Sequence, residues 1–382
     1  MNKLIKYQNP YITGKEVKNI SSTIKSKNLI GPNNFIKKCE NLLEKQLSCE
    51  KVFLTNSGTD ALEMACILSN FSEDDEIIVP SYNFPSAATS IIRCGATPVF
   101  VEICSEDMNV SLNSIKKAIN PNTKGIILTH YAGISAKVSE IIKIAKKFKL
   151  IVIEDAAQAI YSKNKNRFLG TIGHFGIISF HQTKNIFCGE GGALLINRKK
   201  YIPRAHIIRE KGTNRNKFIE GKINKYSWID VGSSFLPSSL QAAFLFEQLK
   251  KGKIINEKRK QIFHDYHKFF LKITGRYNIR IPVISDKNEV NGHFYWILVP
   301  QKIRDKFLKK ARANLIELTT HFQPLHNSKA GKVYGKYFEN LYKTDKLSNE
   351  IVRLPIHTQM TKLIHKEILK IIDKTLKDCF NK

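Results

Sequence analysis

The sequence predicts an α/β protein, a mostly parallel sheet covered by helices on both faces, followed by a smaller α+β unit. Three observations predict it. From about residue 50 to 200, short apolar runs alternate with helix-period stretches in a βαβ rhythm. The strand-like runs are apolar throughout, as in strands buried on both faces. After Ser238 this rhythm stops and longer helices take over.

In chain order, residues 51–54 form a short strand and 59–69 a helix. Residues 76–79 form a strand ended by Pro80, and 86–93 are helical. Residues 97–103 form a strand, 112–119 a helix, 125–129 a strand and 138–148 a helix. Residues 150–153 form a strand that ends in two acids, and 177–180 and 193–196 are two further strands. Residues 238–250 form a long helix with apolar positions at Leu240, Ala243, Phe244 and Leu249. Later short strands are expected at 295–299 and 318–322. The larger unit is placed at residues 1–250, with an N-terminal segment free to pack on the smaller unit, and the smaller unit at 251–382.

Composition narrows the class. At 382 residues and 42% hydrophobic, the chain buries a large core without disulfides or a structural metal. No run approaches 18 apolar residues, and the N-terminus lacks an apolar leader core, so membrane insertion is not expected and a cytoplasmic location is. Seven cysteines with no CxxC pair point away from a disulfide framework and a zinc site, and no metal is expected. The net charge is +29. Its lysines are sprinkled through every helix and no groove-reading motif accompanies them, so they form a solvated surface and not a nucleic-acid site. Such a field attracts an anionic small substrate.

Four stretches follow predicted strands, where ligands bind in parallel sheets. Ser57-Gly58-Thr59 precedes a helix: a phosphate cradle on the free N–H groups, or simply a helix cap. Glu154-Asp155-Ala156-Ala157-Gln158 places acids at a buried strand end, where they need a cationic partner or serve as a structural salt bridge or metal carboxylate. Ser179-Phe180-His181-Gln182-Thr183-Lys184 places a lysine where a cleft can make it a nucleophilic amine, and Gly189-Glu190-Gly191-Gly192 follows as a turn. Pro80-Ser81-Tyr82-Asn83-Phe84 offers an aromatic plate at Phe84, or core packing. A cradle, a carboxylate, a lysine and a plate are together the set that pyridoxal 5′-phosphate requires.

These motifs, in this order over residues 7–375, resemble the DegT/DnrJ/EryC1/StrS family of sugar aminotransferases. The resemblance implies the fold-type I pyridoxal-phosphate architecture. By position, Lys184 would bond to the cofactor and move the proton, Asp155 would pair with the ring nitrogen, and Gln158 would reach the ring's phenolic oxygen. Phe84 would stack on the ring, and Ser57, Gly58, Thr59 and Ser179 would hold the phosphate. His181 would sit beside the cofactor or pack next to Lys184. The family's active site lies between two subunits, which implies a homodimer; Ser234 stands where much of the family has an Asn that reaches the neighbour's phosphate.

Four further stretches resemble one branch: residues 129–133, 209–215, 225–235 and Pro324-Leu325-His326. That branch moves the amine of L-glutamate to C4 of dTDP-4-dehydro-6-deoxy-D-glucose, giving dTDP-4-amino-4,6-dideoxy-D-galactose for enterobacterial common antigen. Arg209, Lys211 and Arg215 would meet the substrate diphosphate or stay on the surface, and His326 would join the substrate site. Sister enzymes use other nucleotides or aminate C3. A non-catalytic relative that keeps the fold is a remaining reading, against which Lys184 and Asp155 weigh.

Overall fold

The computed structural model describes residues 4–27, 29 and 34–380. Two helices precede the sheet, α1 (Glu16–Lys25) and α2 (Asn34–Leu47). Then come β1 (Lys51–Thr55), α3 (Gly58–Leu68), β2 (Glu76–Pro80), α4 (Pro85–Arg93), β3 (Thr97–Val101), α5 (Leu112–Ala118), β4 (Thr123–Thr129), α6 (Val138–Phe148) and β5 (Ile151–Asp155). β6 (Phe175–Ser179), β7 (Gly192–Ile196), α7 (Ile202–Arg209) and α8 (Arg215–Ile219) complete the first part. α9 (Ser239–Ile273) leads to β8 (Tyr295–Leu298), α10 (Gln301–Ala313), α11 (Lys329–Tyr334), α12 (Tyr342–Glu350), β9 (Ile351–Leu354) and α13 (Lys362–Phe380).

The main sheet has the order β1-β7-β6-β5-β4-β2-β3. Every neighbour pair from β6 to β3 is parallel, and β7 is antiparallel to both β6 and β1. β1 therefore runs in the same sense as β6. The segments that follow β1, β2, β5 and β6 emerge along one edge, which brings the four motifs together. Helices α2, α5, α6 and the first part of α9 bury one face of the sheet. Helices α3, α4 and α7 bury the other. Sealed on both sides, the strands carry Val, Ile, Leu and Phe with little alternation.

Local chemistry sets the helix starts along that edge. The Ser57 hydroxyl accepts from the Asp60 N–H at 3.0 Å and caps α3. Pro85 opens α4, where its missing N–H costs nothing. Ser238 and Gln241 form a reciprocal capping box at the start of α9. A side chain at Gly192 would place its Cβ 2.3 Å from the Ser57 carbonyl, so β7 approaches the α3 loop as closely as it does only with glycine there.

A second core gathers the later part of α9, β8, β9, α10 and α13. Tyr7 belongs to this core, and Ile5 forms a bridge to Ile316, so the N-terminal segment packs on it. The boundary expected at residue 250 falls inside α9, which runs unbroken for 35 residues and contributes to both cores. The strand expected at 318–322 forms only a single bridge, Thr319 to Arg353; β9 is the partner of β8. Glu317 pairs on one side with Ile5 and Thr319 on the other with Arg353, so this extended piece divides its hydrogen bonds between two neighbours. Among the described residues no helix is long and apolar enough to cross a membrane.

Candidate active site

The strand ends surround a cleft of 720 Å³. Ser57, Gly58, Thr59, Phe84, Asp155, Gln158, Ser179, His181 and Lys184 all line it, so the structure brings these nine together.

Lys184 follows a turn in which its own N–H donates to the His181 carbonyl at 2.8 Å. Its side chain is half-buried at the cleft floor. Burial there lowers its pKa to about 8; Asp155 opposes the shift and the Arg353 charge adds to it. With a pKa near 8, about a tenth of this amine is neutral and nucleophilic at pH 7. Asp155 ends β5 with its carboxylate buried and accepts from the Ala157 N–H at 3.1 Å. Burial raises its pKa, against that hydrogen bond and the charge of Lys184. It is a desolvated carboxylate that gains from a cation, such as a protonated ring nitrogen.

Glu154 is not its functional twin. It points to the other side of β5 and is wholly buried. It accepts from the N–H groups of Gly170 (3.0 Å), Ile172 (2.6 Å) and Gly173 (2.6 Å), and from His130 Nε2 at 2.9 Å. His130 Nδ1 accepts from the Ala136 N–H at 3.1 Å, so the proton donated to Glu154 sits on Nε2. Burial pushes the Glu154 carboxyl up, but these donors outweigh it and hold the group below the usual range. This clamp fixes the strand end from which Asp155 projects.

Gln158 Oε1 accepts from the Ala132 N–H at 2.7 Å, which leaves Nε2 as the donor on the cleft side. Phe84 is 57% exposed, an unusual state for a phenylalanine next to a core, and its ring lies 6.0 Å from that of Phe322. At the far end, a Cβ on Gly58 would come 3.1 Å from Ser179 Cβ, so the glycine keeps open the space in front of the α3 N-terminus. The Ser57 hydroxyl is taken up in capping. Thr59 Oγ1 meets Ser86 Oγ at 2.7 Å, and Ser179 Oγ accepts from the His181 N–H at 3.4 Å. Free amides, two hydroxyls and a positive dipole end suit a phosphate. The cradle, the carboxylate, the lysine, the donor and the plate fit pyridoxal phosphate.

His181 sits half-exposed at the cleft mouth, its Nδ1 2.8 Å from Thr183 Oγ1. The four residues expected to bind substrate stand outside this cleft. Arg209 is a correction: it is buried against Glu40 at 2.6 Å, 4.7 Å from the Phe53 ring. A guanidinium so enclosed serves the core. His326 is a second correction, buried with Nδ1 2.6 Å from the Ser81 hydroxyl and Nε2 3.4 Å from Asp345. Arg215 pairs with Glu210 at 2.8 Å, and Lys211 is exposed. Ser234 is exposed too; its carbonyl accepts from Asn56 Nδ2 at 2.9 Å, and its side chain is not part of this chain's cleft.

Three functional candidates escaped the sequence motifs. His293, His321 and Arg353 line the wall opposite the strand ends, all from the second core. His293 Nδ1 lies 3.0 Å from Asn185 Oδ1, whose amide nitrogen donates to Asn256 and to the Asn291 carbonyl. Its proton therefore sits on Nδ1. Burial, then the charge of Lys184, holds its pKa well below the usual range. His321 stacks on Phe322 at 3.6 Å and meets Tyr131 Oη at 2.7 Å; burial and Arg353 keep it neutral as well. One clue was present in the sequence: an arginine inside the apolar run Ile351-Val352-Arg353-Leu354.

Comparison with known proteins agrees with this geometry. The profile of the DegT/DnrJ/EryC1/StrS aminotransferase family matches residues 10–373, and the chain belongs to that family. It is 31% identical over 362 residues to an uncharacterized protein of Methanocaldococcus jannaschii, covering 92% of each chain. It is 29% identical to the GDP-perosamine synthase of Escherichia coli O157:H7, over 85% of this chain and 86% of the relative. It is 27% identical to dTDP-4-dehydro-2,3,6-trideoxy-D-glucose 4-aminotransferase of Saccharopolyspora spinosa, over 72% and 73%. The fold matches an aminotransferase from Psychrobacter cryohalolentis with a TM-score of 0.91 at 23% identity, covering 97% of this chain and 99% of that one. The architecture is that of fold-type I transferases, and the protein is a pyridoxal-phosphate-dependent aminotransferase.

Proposed function

We propose that the protein moves the amino group of L-glutamate to C4 of dTDP-4-dehydro-6-deoxy-D-glucose, giving dTDP-4-amino-4,6-dideoxy-D-galactose for a cell-surface polysaccharide. One observation carries the chemistry: a lysine amine with a pKa near 8 stands in one cleft with a desolvated carboxylate and a phosphate cradle. The choice of sugar is supported by the branch-like stretches around residues 129–133 and 209–235. When bound, pyridoxal 5′-phosphate supplies the aldehyde that takes the amine and a ring that stores the electron pair.

The chain's own residues do the rest. Lys184 takes and returns the proton at the reacting carbon, and its lowered pKa suits both directions. Asp155 stabilises positive charge at the ring nitrogen, and Gln158 Nε2 donates to the phenolic oxygen. Phe84 covers one ring face. The α3 N-terminus with Gly58, Thr59 and Ser179 fixes the phosphate and so the reacting geometry.

The active unit in this reading is a cytoplasmic homodimer. Trp228 is 79% exposed and Val231 54%, with Phe218 and Tyr226 also exposed, in the stretch that carries Lys211, Arg215 and Ser234. An apolar surface of this kind is what a second copy would cover. Those three residues would then serve the partner's cleft.

The test is direct. The protein is incubated with the cofactor, L-glutamate and dTDP-4-dehydro-6-deoxy-D-glucose, and the product is read by mass and its C4 configuration by NMR. A galacto amino sugar is expected. Turnover of glutamate with this sugar left untouched would overturn the choice of sugar. The similarity to a GDP-perosamine synthase favours a GDP-linked 4-keto sugar as the second reading, and the same assay with that sugar decides it.

A further inference from the structure

We propose that the groove between the later part of α9 and the start of α13 is a docking site for an acidic amphipathic helix of a partner protein. The groove lies on the second core, apart from the catalytic cleft, and the inference does not depend on which sugar the enzyme aminates.

Two helices and a turn build it. On α9, Lys258, Ile262, Asp265, Phe269 and Lys272 recur at steps of three and four residues and so share one face. From Lys258 to Lys272 that face is about 21 Å long. The opening turns of α13 form the other wall, and Met360 closes the floor between them. The groove holds 820 Å³, more than the 720 Å³ of the catalytic cleft.

Its rim carries charge of one sign. Five of its lining residues are exposed lysines, Lys258, Lys268 and Lys272 on one wall and Lys362 and Lys366 on the other. Elsewhere lysines find acids: Lys51 has Glu44, Lys117 has Glu339 and Lys336 has Glu76. Among the described residues no carboxylate pairs with any of these five. Asp265 is the one acid in the lining, and it faces His365, whose Nδ1 lies 3.7 Å away. The floor is apolar, with Ile262 and Met360 buried and Phe269 and Leu369 half-buried. His365 lines the same groove; it is buried, and its Nε2 has no partner among the described residues. Like charges gathered over an apolar floor repel one another, and an acidic occupant relieves that repulsion while covering the floor.

Shape selects among occupants. The floor is recessed behind the lysines, so a flat bilayer would meet the ammonium groups and leave the apolar side chains uncovered. A single phosphate would reach only part of a face about 21 Å long. A second copy of this chain brings the same net charge of +29. A helix is about 10 Å wide and can lie along the groove, its apolar stripe on the floor and its acidic flanks against the two rows of lysines.

The test uses the full-length, cofactor-loaded protein and a fluorescein-labelled synthetic helix of about 16 residues, with leucines along one face and glutamates on its flanks. Anisotropy in about 0.15 M salt should give a Kd of about 10 µM or tighter. A scrambled peptide of the same composition keeps the charge and loses the apolar stripe, and should bind at least about 10-fold more weakly. Lys268→Glu with Lys272→Glu reverses one wall, and Lys362→Glu with Lys366→Glu the other. Each pair should weaken the helix about 10-fold or more. Lys143→Glu with Lys147→Glu, an equal change of charge on the exposed side of α6, should leave it within about twofold. Amine transfer should be unchanged in all three variants. Absence of helix binding, equal binding of the scrambled peptide, or equal weakening by the α6 pair would overturn the proposal. So would binding to vesicles of phosphatidylglycerol and phosphatidylcholine that the groove pairs abolish while helix affinity stays, which assigns the face to a bilayer. A groove pair that lowers the sedimentation coefficient of the protein alone would overturn it too, by assigning the face to a second copy. A wild-type protein that binds the helix but aminates no sugar would sink the proposed function and leave this inference standing.

Discussion

Lys184 and Arg209 show how enclosure gives two basic side chains opposite uses. Lys184 has an open cleft above it and a single carboxylate near by, so burial wins and the amine is partly neutral at physiological pH. Its attachment to added cofactor in the cofactor-free protein should accelerate as pH rises through about 8, where the protonated form gives way to the neutral amine; absorbance stopped-flow reads this. A rate flat from pH 7 to 9 would contradict the assignment. Lys184→Ala should lower amine transfer by about 10⁴-fold or more, as both anchor and proton carrier are lost. Arg209 has its carboxylate at 2.6 Å and no cleft. Arg209→Met should cost about 3–5 kcal/mol of stability in a denaturant titration, because it strands Glu40, while KM for the sugar in the surviving folded protein stays unchanged. The residues legible in the sequence were those adjacent to strand ends, where chain-local motifs announce themselves. Arg209 misled because its partner is 169 positions away. Arg353, His293 and His321 were missed for the same reason, since the fold and not the local chain brings them to the cleft.

At the scale of elements, the site depends on strand ends being held still. Glu154 does this for β5 with three backbone donors and His130. Replacing it with Gln places an amide N–H against donors that need an acceptor, so Glu154→Gln should destabilise the protein by about 2–4 kcal/mol in chemical denaturation. Because its carboxyl lies below the usual range, its stabilisation is complete above the unfolded pKa. It fades as pH falls through the folded one, and the variant should lack that part of the acid sensitivity. At the neighbouring loop, Gly58→Ala must push Ser179 aside. It should cost about 1–2 kcal/mol and weaken cofactor retention, read by dialysis and absorbance. The βαβ rhythm made β1 to β7 legible because apolar runs of that length leave few alternatives. The piece at 318–322 has the composition of a strand but splits its pairing between two neighbours, which composition cannot reveal. Helices α1 and α2, absent from the expected elements, draw their order from packing on α9, as where Asn19 meets Glu247 at 3.1 Å.

For the whole molecule, the open side of the 210–235 stretch governs assembly. In the proposed dimer, Trp228→Asp should shift sedimentation toward monomer at micromolar concentration and remove sugar amination, while leaving the thermal transition within a few degrees, since the ring is mostly outside its own chain's core. A monomeric wild type with full activity would refute the shared site. A larger unit at residues 1–250 and a smaller one at 251–382 were the expectation from the change of rhythm after Ser238. The change is real, but it marks the passage of one helix from the first core to the second.

That helix, α9, has a consequence for how the protein can move and be cut. At 35 residues it is about 50 Å long, and it belongs to both cores at once. A lever of this kind resists hinge bending at its middle, so relative motion of the two cores must be a small pivot taken up at the cleft and not a wide opening. It also binds the fates of the halves together. A nick or frameshift near Lys250 would leave each fragment with an apolar helix face and nothing to lay it on. Half-length products are accordingly expected to be degraded and not to accumulate as folded remnants.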